Sequence, residues 1–183
     1  MKKPLVLSLL LLLTLPIAGG GFITTISYSP SVYLSIPHFE DELPFRTSMN
    51  NTFIFEPFGY ETEHWSVGTS LKGAFVTPSL PWGNYRARGF SSLGLGVRFS
   101  YDLDERFALF GSGGMAINRY TAIEWAFLSF WAEAGIEYTI LETPNTELSA
   151  ILPITVDLRK EITALSIGLG LRWLFDPYGG GLI

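Results

Sequence analysis

The sequence contains no cysteine among its 183 residues. Small exported domains often depend on disulfide bridges for stability, and that class of scaffold is excluded here. The chain must therefore be stabilised by the packing of its own side chains or by a lipid bilayer.

Histidine is also scarce, and the chain has no net positive charge. His38 and His64 are the two histidines of the chain, and the net charge is −5. Two separated histidines without cysteine do not form the ligand pattern of a zinc site, and an acidic chain gives nucleic-acid binding no electrostatic support. No phosphate-binding loop is present in the sequence. We expect no metal, no cofactor and no nucleic-acid partner.

Long apolar runs are confined to the N-terminus, which reads MKKPLVLSLLLLLTLPIAGGG. Lys2 and Lys3 precede an apolar run from Pro4 to Ile17, and small residues follow. This pattern is typical of a secretory signal peptide, so we predict a cleaved leader over residues 1–20, with an uncleaved signal anchor as the alternative. No later segment approaches the run of about 20 apolar residues of a membrane helix. A membrane location of the mature chain would therefore require a closed β-barrel.

Glycine and aromatic residues are abundant, at 19 glycines and 15% aromatics. Apolar residues alternate with small or polar ones, as in ITALSIGLGLRWLF at residues 162–175. Alternation at period two indicates a strand with two different faces. Eight such strands are predicted, at Ile23–Ile36, Thr47–Phe58, His64–Thr77, Gly89–Tyr101, Arg106–Asn118, Ile123–Ile140, Glu147–Asp157 and Ile162–Phe175. Each is near or above the roughly 9–11 residues that a tilted strand needs to cross a bilayer.

Aromatic side chains fall at two heights along these strands. One group lies at one set of strand ends: Trp65, Tyr101, Phe107, Tyr138, Trp173 and Phe175. The other lies near the opposite ends: Trp82, Tyr85, Phe90, Tyr120 and Trp125. Two girdles that flank an apolar band are typical of a bilayer interface, so the apolar face is predicted to contact lipid. A secreted soluble barrel, lipocalin-like in shape with its apolar face inward, is the alternative.

The connections between the strands alternate in kind. Those at residues 58–63, 102–105 and 142–146 are short and acidic, whereas those at 37–46 and 78–88 are longer, and the sequence near Arg119 and Arg159 is basic. Bacterial barrels have short periplasmic turns and longer extracellular loops. We therefore place the acidic turns in the periplasm and the basic loops outside.

Eight strands in this layout resemble the small outer-membrane barrels of the OmpA and OmpX kind, over Gly21–Phe175. The resemblance implies an all-β, eight-stranded, antiparallel up-and-down transmembrane barrel, monomeric in the outer membrane and in contact with lipid. The segment GLGLRWLF looks like the terminal strand by which the barrel assembly machinery recognises its clients, which implies that Trp173 and Phe175 form an assembly signal. A short tail, Asp176–Ile183, follows and is too short for a cell-wall-binding domain.

Charged residues are predicted to lie on the inner face of the strands, and a further set lies near the outer ends. The inner set is Glu56, Lys72, Arg98, Glu133, Glu137 and Arg172. The outer set, predicted to form an extracellular basic rim, is Arg46, Arg86, Arg88, Arg119, Arg159 and Lys160. An eight-stranded barrel is just filled by its inner side chains, so the inner charges must pair. They predict either a salt-bridged plug or a narrow pore or ligand pocket.

The sequence carries little sign of catalysis. His64 and Ser66 share one strand face, which is similar to the His-x-Ser pair of lipid-A deacylases. Such an enzyme must meet lipid of the outer leaflet, whereas His64 and Ser66 are predicted at the periplasmic end of the lumen. We interpret the chain as a non-enzymatic outer-membrane barrel. Its role is structural or interactive at the cell surface, with a small solute or surface ligand as partner, or it is a narrow, largely plugged channel. An outer-membrane lipid-modifying hydrolase is a weaker alternative.

Overall fold

A computed structural model describes residues 21–37, 46–77, 90–120, 126–159 and 162–175. This part of the chain is built from β-strands. They are β1 (Gly21–Pro37), β2 (Arg46–Glu61), β3 (Trp65–Thr77), β4 (Phe90–Asp102), β5 (Phe107–Tyr120), β6 (Ala126–Thr143), β7 (Thr146–Leu158), β8 (Ile162–Gly168) and β9 (Gly170–Phe175). The predicted leader, residues 1–20, and the predicted tail, residues 176–183, lie outside the described residues.

The strands form one closed antiparallel sheet. Each strand from β1 to β7 pairs with the next along the chain, and β7 pairs with β8 and β9 in turn. Because β1 also pairs with β8 and β9, the sheet closes on itself. β8 and β9 together form the eighth wall strand, interrupted at Leu169. The predicted fold class, an eight-stranded up-and-down barrel, is confirmed.

Strand boundaries differ from the predicted ones by a few residues. One difference is at the end of β2, which was predicted at Phe58, one residue after Pro57. The ladder between β2 and β3 instead shifts register between Phe55 and Phe58 and continues to Glu61. Proline is tolerated at such a bulge because the bulged residue does not have to donate to the ladder.

The two faces of the wall have opposite chemistry. Leu93, Leu95 and Leu169 point outward and are 71%, 67% and 66% exposed, whereas the inner face carries buried serines, threonines and charged residues. A soluble barrel would bury the leucines instead. The lipocalin-like alternative is therefore wrong, and the outer surface is an apolar belt. In the described segments, no helix is both long and apolar enough to cross a membrane.

Aromatic rings gather at the end of the barrel where β1 starts and β9 ends. The six residues predicted for this end lie there, and Phe22 and Tyr60, which were not predicted, join them. Phe107 lies 4.9 Å from Tyr138 between ring centroids, and Trp173 lies 5.1 Å from Phe175. Of the residues predicted for the opposite girdle, Trp82, Tyr85 and Trp125 lie outside the described residues, and Phe90 and Tyr120 are described only in their backbone.

Candidate functional site

The inner face of the barrel contains all six charged residues that the strand pattern assigned to it. They are buried: Glu56, Lys72, Arg98, Glu133, Glu137 and Arg172. Their positions follow from strand geometry, because successive side chains alternate between the two faces of a strand. Apolar neighbours such as Leu71, Phe99 and Leu171 are exposed on the outer face.

Four of these residues meet inside the lumen. Arg98 Nη2 lies 2.8 Å from Glu137 Oε2, and Arg172 Nη1 lies 2.9 Å from Glu137 Oε1. Glu56 completes the group, with Oε1 3.6 Å from Arg98 Nε and Oε2 3.5 Å from Arg172 Nη2. The four side chains come from β2, β4, β6 and β9, so they bridge opposite walls. We call Glu56, Arg98, Glu137 and Arg172 the cross-lumen cluster.

The cluster is electrically balanced, with two guanidinium groups and two carboxylates. Each arginine contacts both carboxylates, and Thr25 donates a further hydrogen bond to Glu56 Oε2. Buried charges are tolerated when they are paired and hydrogen-bonded. The arrangement therefore occupies the lumen with matched charge and does not form a ring of one sign.

Two aromatic side chains pack against the inward cations. Arg98 lies over the ring of Phe110, with its guanidinium carbon 3.9 Å from the ring centroid. Lys72 Nζ lies 4.4 Å from the ring centroid of Trp131. Cations over aromatic faces are attracted by the ring quadrupole. Trp131 and Phe110 thus add bulk and stabilisation to the lumen filling.

Glycines on the inner face give these rings their space. A Cβ at Gly96 would lie 2.7 Å from Trp131 Cζ2, and one at Gly135 would lie 2.5 Å from Phe110 Cζ. The glycine-rich inner pattern of the sequence is therefore a packing requirement. Small residues on one strand make room for a large ring from another, which fills a barrel interior without strain.

A second charged group lies nearer the end of the lumen at which β1 ends. Asp157 is 3.8 Å from Lys72 Nζ through Oδ1 and 3.8 Å from Arg159 Nη2 through Oδ2. Asp157 was not predicted to lie in the lumen, although it shares one face of β7 with the polar residue Thr155. Arg159 was expected on the extracellular basic rim. Its side chain is instead buried and lies 5.6 Å from the ring of Tyr33.

Glu133 stands apart from the cross-lumen cluster. It accepts hydrogen bonds from Thr155 Oγ1 at 2.9 Å and from Ser112 Oγ at 3.3 Å. The described residues include no salt bridge to Glu133. Hydroxyl donors from the two neighbouring strands satisfy this carboxylate where a cation was expected.

The remaining members of the basic rim are not described at side-chain level. Arg46 begins β2, and Arg119 is the penultimate residue of β5, so both backbones lie at the end of the barrel where β1 ends. Arg86, Arg88 and Lys160 lie outside the described residues.

The end of the lumen at which β1 starts and β9 ends opens into a cavity of about 460 Å³. Arg172 and Glu137 form its inner boundary, and Glu61, Asp102 and Glu147 lie along its wall. These wall carboxylates belong to the acidic turns and strand ends of the sequence, but their convergence was not predicted. We call this cavity the vestibule.

One of the turns at the vestibule mouth is closed by a carboxylate. Asp104 Oδ1 accepts hydrogen bonds from the backbone N–H groups of Arg106 and Phe107, each at 2.8 Å. These donors favour the charged form and hold the pKa of Asp104 below its ordinary value. Asp104 thus stabilises the turn between β4 and β5.

The residues considered for catalysis lie at the vestibule. His64 is exposed in the turn before β3, and Ser66 is buried on β3. The Ser66 hydroxyl lies 2.6 Å from the Ser100 hydroxyl, a pairing between two serines. In the segments that the structure describes, no group of three or more histidine, aspartate and glutamate residues is arranged to hold a metal ion.

The residues predicted to form an assembly signal lie at the end of the closing strand. Trp173 is half exposed on the outer face of β9, and Phe175 is the last residue of that strand. Their rings stack, with an angle of 21° between the planes. Both belong to the aromatic girdle at the end where β1 starts and β9 ends.

Comparison with known proteins gives structural neighbours but no sequence relatives. No family model matches the chain, and no curated protein is significantly similar to it. Neisserial surface protein A matches with a TM-score of 0.59 at 12% identity, over 84% of this chain and 97% of that one. Ail, the attachment invasion locus protein of Yersinia pestis, matches with a TM-score of 0.50 at 14% identity, over 87% of this chain and 100% of that one. The chain therefore has the fold of the small eight-stranded outer-membrane β-barrels.

Proposed function

We propose that the mature chain is an outer-membrane protein with a plugged lumen, whose role is structural or interactive at the cell surface. The signal peptide predicted over residues 1–20 directs export. The apolar belt matches a bilayer, because side chains as large as Leu93 and Leu95 are exposed to the surroundings around the barrel wall. The fold agrees with this location.

The cross-lumen cluster is the observation that carries the proposal. Four buried side chains from four strands join opposite walls at distances of 2.8–3.6 Å. Phe110 and Trp131 occupy the lumen beside them. An ion that passes this level would have to separate paired charges in a region of low dielectric, which is costly.

A narrow channel is the second candidate, and the vestibule favours it. The cavity gives a solute access from the periplasm to Arg172 and Glu137, on the side of the cluster that faces the vestibule. A channel of this kind would need the cluster to rearrange. The same carboxylates and guanidinium groups would then line the pore.

The outer end of the barrel supplies the surface for interaction. Arg46, Arg86, Arg88, Arg119 and Lys160 place positive charge in or beside the outer loops, where it favours anionic lipid or glycan headgroups. Arg159 is left out of this rim because its side chain is buried in the lumen. Outer-membrane lipid is thus the first partner, and a small solute or surface ligand is the second.

Assembly by a dedicated machinery and the absence of catalysis are also part of what we propose. Trp173 and Phe175 act as the signal read by the barrel assembly machinery, after which the barrel is monomeric. The chain acts without a cofactor and is not an enzyme. The pairing of the Ser66 and Ser100 hydroxyls supports this, because a nucleophilic serine needs an adjacent base.

Single-cysteine labelling tests the orientation and surface role, since the natural chain has no cysteine to interfere. Cysteine placed within residues 78–89 should react with a membrane-impermeant maleimide on intact cells. Leu103→Cys, in the turn at the vestibule mouth, should react only after the outer membrane is permeabilised. Labelling of Leu103→Cys on intact cells would invert the topology, and absence of both from the outer-membrane fraction would contradict the location.

A further inference from the structure

The closing strand of the barrel has a break at its centre. β8 pairs with β1 as far as Ser31 opposite Gly168, and β9 resumes with Tyr28 opposite Leu171. The register is the same on both sides of the break, so no residue is inserted. Pro30 therefore lies opposite Leu169.

Pro30 removes one hydrogen bond from this edge of the closing strand. The Leu169 N–H donates to the Pro30 carbonyl at 3.2 Å. In an antiparallel ladder two residues paired in this way exchange two bonds. Proline has no N–H to return the second bond, so the Leu169 carbonyl receives nothing from Pro30.

A second proline acts on the other edge at the same height. β7 pairs Ile154 with Ile167 and Ile151 with Gly170, which places Pro153 opposite Gly168. Since successive residues of a strand direct their backbone groups to alternate sides, Gly168 directs its carbonyl toward β7. Pro153 cannot donate to it. Two consecutive carbonyls, on opposite edges of one strand, therefore lack their ladder donors.

The position of the break makes these losses costly. Leu169 is 66% exposed at the centre of the apolar belt, between Ile167 and Leu171. The hydrocarbon region has no water to take over a missing backbone bond, and prolines are normally confined to sheet edges and bulges. The closing strand has a neighbour on each side, β1 and β7. Each neighbour places a proline opposite a carbonyl of the closing strand that needs a donor.

Glycines flank the break, and no bulk can be added there. A Cβ at Gly168 would lie 2.8 Å from the Pro30 carbonyl oxygen, and one at Gly170 would lie 2.3 Å from the Tyr28 carbonyl oxygen. Glycine has more conformational freedom than other residues. The two carbonyls without ladder donors thus lie beside the two glycines of the closing strand.

We propose that Gly168–Gly170 is a hinge at which the closing strand opens locally within the membrane. β8 and β9 then move as separate halves, each held by its own ladders to β1 and β7. The barrel wall is closed elsewhere at this depth by uninterrupted ladders, as at Leu95, which pairs with Leu71 on one side and Met115 on the other. The lumen behind the hinge meets the bilayer core when the hinge opens.

Amide hydrogen exchange of the refolded full chain in a phospholipid nanodisc tests the hinge. The Leu169 amide is compared with the Leu95 amide, because both side chains are about equally exposed at the centre of the belt, at 66% and 67%. Loss of one net backbone bond corresponds to about a tenfold change in an opening equilibrium. We expect the Leu169 amide to exchange at least about tenfold faster than the Leu95 amide.

Proline variants separate the hinge from general mobility. Pro30→Ala and Pro153→Ala each restore a donor and should slow exchange at Gly168 and Leu169 by about tenfold. Pro57→Ala is the matched control, because Pro57 lies at a bulge without a ladder partner, and it should leave these amides unchanged. Equal exchange of Leu169 and Leu95 in the natural chain would overturn the proposal. So would slowing by Pro57→Ala as large as that by Pro153→Ala. If an alanine variant fails to fold, the comparison of Leu169 with Leu95 decides alone.

Discussion

Arg172 and Glu137 face each other inside the barrel, with Arg172 Nη1 donating to Glu137 Oε1 at 2.9 Å. Arg172 enters from the closing strand β9 and Glu137 from β6, so this one ion pair connects walls that are not neighbours in the sheet. The contact links the end of the chain to its middle. The same ion pair therefore holds the closing strand in place and fills the lumen.

Removal of Arg172 is predicted to destabilise the barrel strongly. Arg172→Ala leaves Glu56 and Glu137 to share Arg98, and an uncompensated buried charge costs about 3–5 kcal/mol of unfolding free energy. Urea unfolding in detergent measures the change. Arg106→Ala is the matched control because Arg106 is exposed at a turn, and it should leave the midpoint nearly unchanged. Equal effects of the two substitutions would contradict a buried cluster.

Glycine substitutions test the close packing of the lumen. A Cβ at Gly96 would lie 2.4 Å from the Gly113 carbonyl oxygen as well as against Trp131, whereas one at Gly73 meets nothing within 4 Å. Gly96→Ala should therefore lower the unfolding free energy by about 1–3 kcal/mol, the usual cost of overpacking. Gly73→Ala should be neutral. The tryptophan emission of the chain should shift only in the first variant, and a shift in both would argue against this local account.

Charge substitutions on the outer face test contact with lipid. Leu95→Arg, at the centre of the belt, should cost about 2–4 kcal/mol of unfolding free energy in a bilayer, and Leu103→Arg, at the turn between β4 and β5, about 0–1 kcal/mol. Both leucines are exposed, at 67% and 56%, so burial alone predicts no difference. Folding titrations in phospholipid vesicles supply the measurement. Similar costs at the two positions would place Leu95 outside the hydrocarbon.

The turn carboxylate Asp104 should titrate below its ordinary pKa. Its charged form accepts the Arg106 and Phe107 amide protons, so the folded pKa is depressed relative to the unfolded chain. The stabilisation is then present above the unfolded pKa and is lost as the pH falls through the folded pKa. NMR titration of the carboxyl carbon measures this pKa, and the two amide shifts should move with it. Titration near the ordinary value of about 3.9 would refute the hydrogen bonds.

Most of the fold could be predicted from the sequence because it depends on local alternation. Leu93, Leu95 and Leu169 were assigned to the outer face by parity alone, and strand length then matched a bilayer. The break at Leu169 could not be found in that way. It depends on Pro30 and Pro153, which are far apart in sequence and lie beside Leu169 and Gly168 only once the register is known.

The candidate site was predictable in part of its membership but not in its pairing. Parity placed Lys72 and Glu133 in the lumen, yet Lys72 pairs with Asp157 and Glu133 with hydroxyl groups. Which inward residues meet depends on the stagger of the strands around the barrel, which alternation does not specify. Arg159 illustrates the same point, since its position at a strand end suggested exposure whereas its side chain is buried.

Planar-bilayer recording on the refolded protein tests the central claim, that the cross-lumen cluster closes the barrel. Incorporation is verified beforehand by flotation of the same preparation with vesicles and by the altered gel mobility of the unheated protein. The natural chain should then show no stable conductance steps, because Glu56, Arg98, Glu137 and Arg172 join the walls across the lumen. The double variant Arg98→Ala with Arg172→Ala, checked in the same way, is recorded for comparison. Stable conductance steps in the natural chain would contradict the account, because they would mean that ions pass the cluster while it is intact.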